Sequence, residues 1–285
     1  MPERSILVFG ATGALGGHLL DALVARGVDP ATITAAGRNE ARLEALASAG
    51  FRTAIVNLSD VARVSEVVAQ HAEVVLISGG DPDRVEQHRT VIDAAKAAGV
   101  RHVYYTSGVR ADDERFAINA DHRATEEILV ASGVTYTILR NTWYIENFAQ
   151  SLAGPRHTGV FAAAAGNATV AAASRKDLAE AIAVVVTTDG HDNATYSLSG
   201  DTDFTYDDIA AAIAVVLDRD VTYQPTPADA LREIYEHAGL DAGLAGFLVG
   251  LDEMIGAGVF ARAGDDLSRL LGRPTTGLVE GLRAA

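Results

Sequence analysis

The chain begins with a short apolar run, Ser5-Ile6-Leu7-Val8-Phe9, that ends in glycines, the pattern of a strand buried on both faces of a parallel sheet. The period then changes. Leu15, Leu19, Leu20, Leu23 and Val24 share one side of a helix that Gly27 stops. The same alternation predicts strands at 32–36, 52–56, 73–77, 102–105 and 136–139, with helices at 40–49, 61–70, 82–98 and 119–132. Strands separated by helices of this length mean βαβ units, and so an α/β fold built on a Rossmann-type doubly wound parallel sheet. After Arg140 the rhythm breaks. Gly154-Pro155, Gly159 and Gly166 punctuate short segments, a helix-like run returns at 177–188, and glycines thicken between Gly239 and Gly264. Residues 1–150 read as the sheet domain. Residues 151–285 read as a smaller interwoven subdomain that closes over the carboxyl edge of the sheet and sends segments back to it.

Composition narrows the classes. The 48% of hydrophobic residues in 285 is ample for a buried core, which rules out wholesale disorder. Without cysteine there is no disulfide scaffold, thiolate zinc site, iron–sulfur cluster or cysteine nucleophile. With 38 Asp and Glu against 23 Lys and Arg, the net charge is −15. That balance argues against nucleic acid and anionic membranes as partners, because both call for a basic face. The segment from Met1 to Gly10 lacks the charged region and cleavage site of a leader, and no run of about 20 apolar residues occurs. The expectation is a soluble, cytoplasmic protein, with a homodimer as the base-rate assembly.

The sharpest motif is Gly10-Ala11-Thr12-Gly13-Ala14-Leu15-Gly16, between the first strand and the first helix. Glycines there allow a tight turn, let backbone N–H groups approach a pyrophosphate and let helix and strand pack closely, while the helix amino terminus faces the anion. An NAD-binding unit would carry Asp or Glu about 20 residues further on, at the ribose hydroxyls. The chain has Ala36-Gly37-Arg38-Asn39 instead. Arg38 suits a 2′-phosphate, which it can grip bidentately, and so points to NADPH. The competing reading is a solvated loop arginine. Glu40 fits as a first-turn acid of the next helix.

Chemistry at the nicotinamide is less obvious. The Tyr-x-x-x-Lys pair of ordinary short-chain dehydrogenases, in which the lysine lowers the tyrosine pKa, is absent: Val109 lies four residues after Tyr105, and Gly108 four after Tyr104. No Gly-x-Ser-x-Gly elbow or Gly-Lys-Ser/Thr loop occurs. The eight histidines never fall at i, i+4 spacing, so no metal is expected. Asp201, Asp203, Asp207 and Asp208 read as turn and helix-start acids.

The glycine loop, Gly37-Arg38-Asn39 and the run Leu139-Arg140-Asn141-Thr142-Trp143-Tyr144-Ile145-Glu146-Asn147 resemble the NmrA-like atypical short-chain dehydrogenases. Within them, the chain is similar to the bacterial branch of NADPH-dependent quinone oxidoreductases of type 2 and triphenylmethane reductases. Further similar stretches run from His88 to Val100, from Tyr105 to Ser107, from Gly159 to Phe161 and from Leu267 to Thr276, so the likeness spans nearly the whole chain. It implies NADPH-driven reduction of a small conjugated acceptor such as a quinone. Carried over by position, residues 10–15 would hold the pyrophosphate, Arg38 the 2′-phosphate, and Leu76, Ile77 and Ser78 the adenosine or ribose side. Asn141, Thr142, Trp143 and Tyr144 would lie beside the nicotinamide and the acceptor. Where some relatives carry a lysine stands His122, with Glu126 one helical turn on.

His122 and Tyr144 are the candidate proton donors. Their bland readings are an exposed helix histidine and a core tyrosine packed with Trp143. Hydride transfer to an electron-poor quinone makes a delocalised oxyanion, so positioning can do most of the work and water can supply the proton. Two alternatives stay open. One is a reductase of another acceptor, such as a dye, an enal, an imine or a natural-product ketone. The other is a non-catalytic NAD(P)-sensing regulator of the NmrA-like kind.

Overall fold

A computed structural model of the chain describes residues 5–116 and 119–285. Met1–Arg4, part of the segment read for a leader, lie outside them. The strands and helices of the first half follow the predicted alternation: β1 (Ile6–Phe9), α1 (Ala14–Ala25), β2 (Ile33–Gly37), α2 (Glu40–Ser48), β3 (Arg52–Ile55), α3 (Val61–Val68), β4 (Glu73–Ile77), α4 (Arg84–Ala98), β5 (His102–Gly108), α5 (Ala120–Ser132) and β6 (Tyr136–Asn141). There follow α6 (Ile145–Ala149), α7 (Ala153–Thr158), β7 (Val160–Ala163), β8 (Thr169–Val170), α8 (Arg175–Thr187), β9 (Ala194–Leu198), β10 (Phe204–Thr205), α9 (Tyr206–Leu217) and β11 (Thr222–Pro225). Four helices complete the chain: α10 (Ala228–His237), α11 (Ala242–Gly256), α12 (Asp266–Leu271) and α13 (Leu278–Arg283).

The chain divides into two compact units, 1–141 with 175–197, and 142–174 with 198–285. The first holds a sheet of order β3-β2-β1-β4-β5-β6-β9, whose first six strands pair parallel throughout. Strand residues alternate between two buried faces. Leu7, Phe9, Val74, Leu76, Val103 and Tyr105 join Val64, Val91, Ile92 and Leu129 in one core cluster, which places α3, α4 and α5 over that face. The intervening Ile6, Val8, Ile33 and Ala35 are equally buried, and α1 packs against α8. This is a Rossmann-type doubly wound sheet. Strand order reverses between β1 and β4, and in such folds ligands bind at the carboxyl ends beside that reversal.

The second unit pairs β11 with β7 in parallel and β10 with β8 antiparallel. Its least expected element is α11, which runs through the glycine-thickened stretch with four glycines inside it. Asp241 Oδ1 starts it by accepting from the N–H groups of Gly243 and Leu244, both at 3.0 Å. Ala245, Val249 and Ile255 then give it a buried face, and that packing outweighs the poor helix propensity of glycine. Asp207 and Asp208 sit in the first turn of α9, where Thr205 and Asp208 form a capping box. Among the described residues, no helix is long and apolar enough to cross a membrane, and no group of three His, Asp or Glu could hold a metal ion.

Candidate functional site

The loop after β1 is shaped by what its glycines lack. Gly10 has φ +80°, and a Cβ on it would lie 3.0 Å from the Ile77 Cβ. Gly16, on the first turn of α1, leaves no room for a side chain: its Cβ would overlap the Gly10 carbonyl oxygen and lie 2.7 Å from the Ala11 Cα. The helix therefore starts pressed against its own loop. Gly13 N–H donates to Gly10 C=O at 3.0 Å, and Ala11 N–H donates to Ala36 C=O at 3.3 Å, tying the loop to the end of β2. Gly13 caps α1 without a side chain, and no acid stands in the first turn. The helix amino terminus thus keeps its N–H groups and its positive end for an anion.

Arg38 follows β2 directly, and its Nη1 lies 3.1 Å from Asp81 Oδ2, with side chains 65% and 34% exposed. Asn39 Oδ1 accepts from the Arg42 N–H at 3.0 Å and so starts α2, with Glu40 as its first-turn acid. Arg42 Nη1 donates to the Thr12 carbonyl in the glycine loop. This second cation was not singled out from sequence, although a basic residue four positions beyond Arg38 was a usable signal. Leu76 pairs with Phe9 and its side chain belongs to the core, so only its backbone faces the sheet edge. Ile77 packs under Gly10, and Ser78 N–H donates to Thr106 Oγ1 at 2.9 Å. Residues 10–16, Arg38 and 76–78 therefore meet at the carboxyl edge beside the reversal of strand order.

His122 is not an exposed helix histidine. It is half-buried, and its Nδ1 shares a 2.8 Å hydrogen bond with the hydroxyl of the fully buried Tyr105. Burial, with help from Arg84, pushes the imidazole down to about 3, so it is neutral near pH 7. Burial pushes the Tyr105 phenol well up. The ring of His88 meets Tyr105 edge-on at 5.4 Å. Thr125 Oγ1 donates to Asp121 C=O, so His88 Nδ1 must donate to Thr125 Oγ1, at 2.9 Å. His88 Nε2 then carries a buried lone pair without a partner. Burial moves His88 down to about 4.

Glu126, expected one turn beyond His122 as its companion, is engaged elsewhere. It receives Arg140 Nε at 3.0 Å, Arg140 Nη2 at 2.7 Å and Ser107 Oγ at 2.5 Å, while Asp112 takes Arg140 Nη1 at 2.8 Å. The network fastens α5 to the ends of β5 and β6. Neither the bond between Tyr105 and His122 nor this network was legible as a pattern, since both depend on how α5 lies over the sheet.

Asn141 ends β6. Its carbonyl accepts from Val109 N–H at 3.0 Å, and its side-chain Oδ1 is buried with no hydrogen-bond partner. Within the second unit, Thr142 N–H donates to Leu198 C=O at 3.2 Å, and Thr142 Oγ1 is likewise buried and unpartnered. Trp143 packs on Phe260 at 5.1 Å between ring centres, and Tyr144 bridges to Ala173. Buried polar atoms left over in two successive residues are costly unless something else pairs with them. The unpartnered Asn141 Oδ1 and a glycine cradle that a single Cβ would fill, both in the first unit, fit a dinucleotide.

The comparisons agree with that fit. A family model described as NAD(P)H-binding matches residues 10–189. Quinone oxidoreductase 2 of Escherichia coli is 37% identical over 276 residues, covering 96% of this chain and 96% of that protein. The crystal structure of the E. coli NADPH-dependent quinone oxidoreductase complexed with NADPH superposes with a TM-score of 0.92 at 36% identity, covering 98% and 99% of the two chains. Triphenylmethane reductase of Citrobacter sp., complexed with NADP(H), gives 0.93 at 30% identity over 99% of each chain.

Proposed function

As the chain belongs to the NAD(P)H-binding family, we propose that it is an NADPH-dependent reductase of quinones or related conjugated acceptors. That it is an NAD(P)H-dependent oxidoreductase follows from its likeness to a quinone oxidoreductase along 96% of its length. The choice of NADPH is carried by Arg38 at the end of β2, where an NAD-binding unit would have an acid. Bound NADPH supplies a hydride. Residues 10–16 hold its pyrophosphate by backbone N–H groups, Arg38 takes the 2′-phosphate, and residues 76–78 border the adenosine ribose. Asn141, Thr142, Trp143 and Tyr144 border the nicotinamide and the acceptor.

His122, neutral and bonded to Tyr105, positions rather than protonates. A neutral imidazole beside a phenol with a raised pKa is a poor acid, so the proton comes from water or from the other candidate donor, Tyr144. We expect kcat to stay flat from about pH 5 to 9, because the shift places the His122 titration near 3. Replacement by phenylalanine should leave that profile flat. A limb near neutrality that vanishes in His122→Phe would return the proton to this residue.

The deciding assay is loss of NADPH absorbance with purified protein and a panel of benzoquinones, naphthoquinones, triphenylmethane and azo dyes and simple ketones, with NADH as control. Turnover with quinones and not with ketones supports the proposal. Turnover with dyes alone favours the second reading, suggested by the likeness to triphenylmethane reductase. Tight NADPH binding with no turnover would mark a sensor. In the same assay, Arg38→Ala should cost about ten- to a hundredfold in NADPH/NADH preference, the worth of hydrogen bonds to a charged group.

A further inference from the structure

The guanidinium assigned to a 2′-phosphate already faces an anion. Asp81 Oδ2 lies 3.1 Å from Arg38 Nη1. Asp81 stands on the turn between β4 and α4, where its carbonyl accepts from Arg84 N–H at 3.1 Å. Gln87 Nε2 approaches the same Oδ2 at 3.4 Å. The turn fixes the Asp81 main chain, and both Arg38 and Gln87 approach its carboxylate. The pair is part-exposed and weak in itself, but a phosphate at Arg38 would bring about −1.5 to −2 charges beside the −1 of Asp81.

We propose that Asp81 is a specificity-setting residue, which competes with the 2′-phosphate of NADPH for Arg38 and so narrows the preference for NADPH over NADH. The inference rests on the assignment of Arg38 made under the proposed function. NADH, having no 2′-phosphate, leaves the Arg38–Asp81 pair intact. NADPH must share the guanidinium or displace the carboxylate. Arg42, whose side chain donates to the Thr12 carbonyl, stands as a second cation at the same edge.

The test is calorimetric titration of the full chain with NADPH and with NADH, for wild type, Asp81→Asn, Arg38→Ala and the double variant, at low and high salt. Asparagine keeps the shape of the aspartate and can still accept from Gln87. Asp81→Asn should tighten NADPH about three- to tenfold at low salt, leave NADH within about twofold, and lose most of this gain at high salt or in the Arg38→Ala background. If Arg38→Ala collapses the preference but Asp81→Asn leaves it unchanged or lowers it, the role of Asp81 is refuted and that of Arg38 stands. If Arg38→Ala itself leaves the preference unchanged, the phosphate assignment fails and the inference falls with it.

Discussion

Gly16→Ala is expected to abolish dinucleotide binding. The added methyl group would overlap the Gly10 carbonyl oxygen and sit 2.7 Å from the Ala11 Cα, and both are backbone atoms with no rotamer to yield. Either α1 moves away from β1 or the loop opens, and in both cases the N–H groups that face a pyrophosphate lose their aim. A loss of about a hundredfold or more in NADPH affinity corresponds to some 3 kcal/mol. Gly17→Ala is the internal control, because its Cβ would meet nothing within 4 Å. At that helical position alanine should stabilise the fold by up to about 1 kcal/mol. Titration with NADPH and thermal unfolding of both variants check this. Normal affinity in Gly16→Ala would mean that the loop is not the phosphate cradle.

The second large effect is expected at Glu126. Glu126 is 8% exposed, and its carboxylate receives Nε and Nη2 along one edge of the Arg140 guanidinium as well as the Ser107 hydroxyl. Removing it in Glu126→Ala strands a mostly buried cation with only the exposed Asp112 for company. Breaking one side of a buried pair costs about 3–5 kcal/mol, a large share of the stability of a typical domain. The urea midpoint should fall accordingly, and Glu126→Gln should recover part of the loss, because its single amide oxygen can still accept from Ser107 Oγ and Arg140 Nε while the bond from Arg140 Nη2 is lost. A change below about 1 kcal/mol would show that water reaches the pair and screens it.

Much of the first unit could be read in advance. Ile6, Leu7, Val8 and Phe9 are buried on both faces, and a continuous apolar run says so directly. The glycines of the loop and the missing acid at Arg38 are equally local signals. His122 could not be judged in the same way. Its burial depends on Tyr105, seventeen positions back on a strand, and on the side of α5 that meets the sheet. Glu126 shows the same limit, since spacing alone makes His122 its neighbour while Arg140, on β6, is its partner. In the second unit, β7 pairs with β11 some sixty residues away, and no sequence period announces a two-stranded partner at that distance. The helix α11 was hidden by its own glycines, although Asp241 at its start was visible.

The division of the chain bears on how it can be made. The first unit is not finished when β6 ends at Asn141, because α8 and β9 arrive only with residues 175–197. Until then the face of α1 carrying Leu19, Leu20 and Leu23 lacks the helix that packs against it. During synthesis at roughly 5–20 residues per second, the nascent sheet must wait about 3–11 s with that apolar face uncovered. A fragment ending near residue 150 would stay in that condition permanently. It would be a client for chaperones rather than a free-standing nucleotide-binding module.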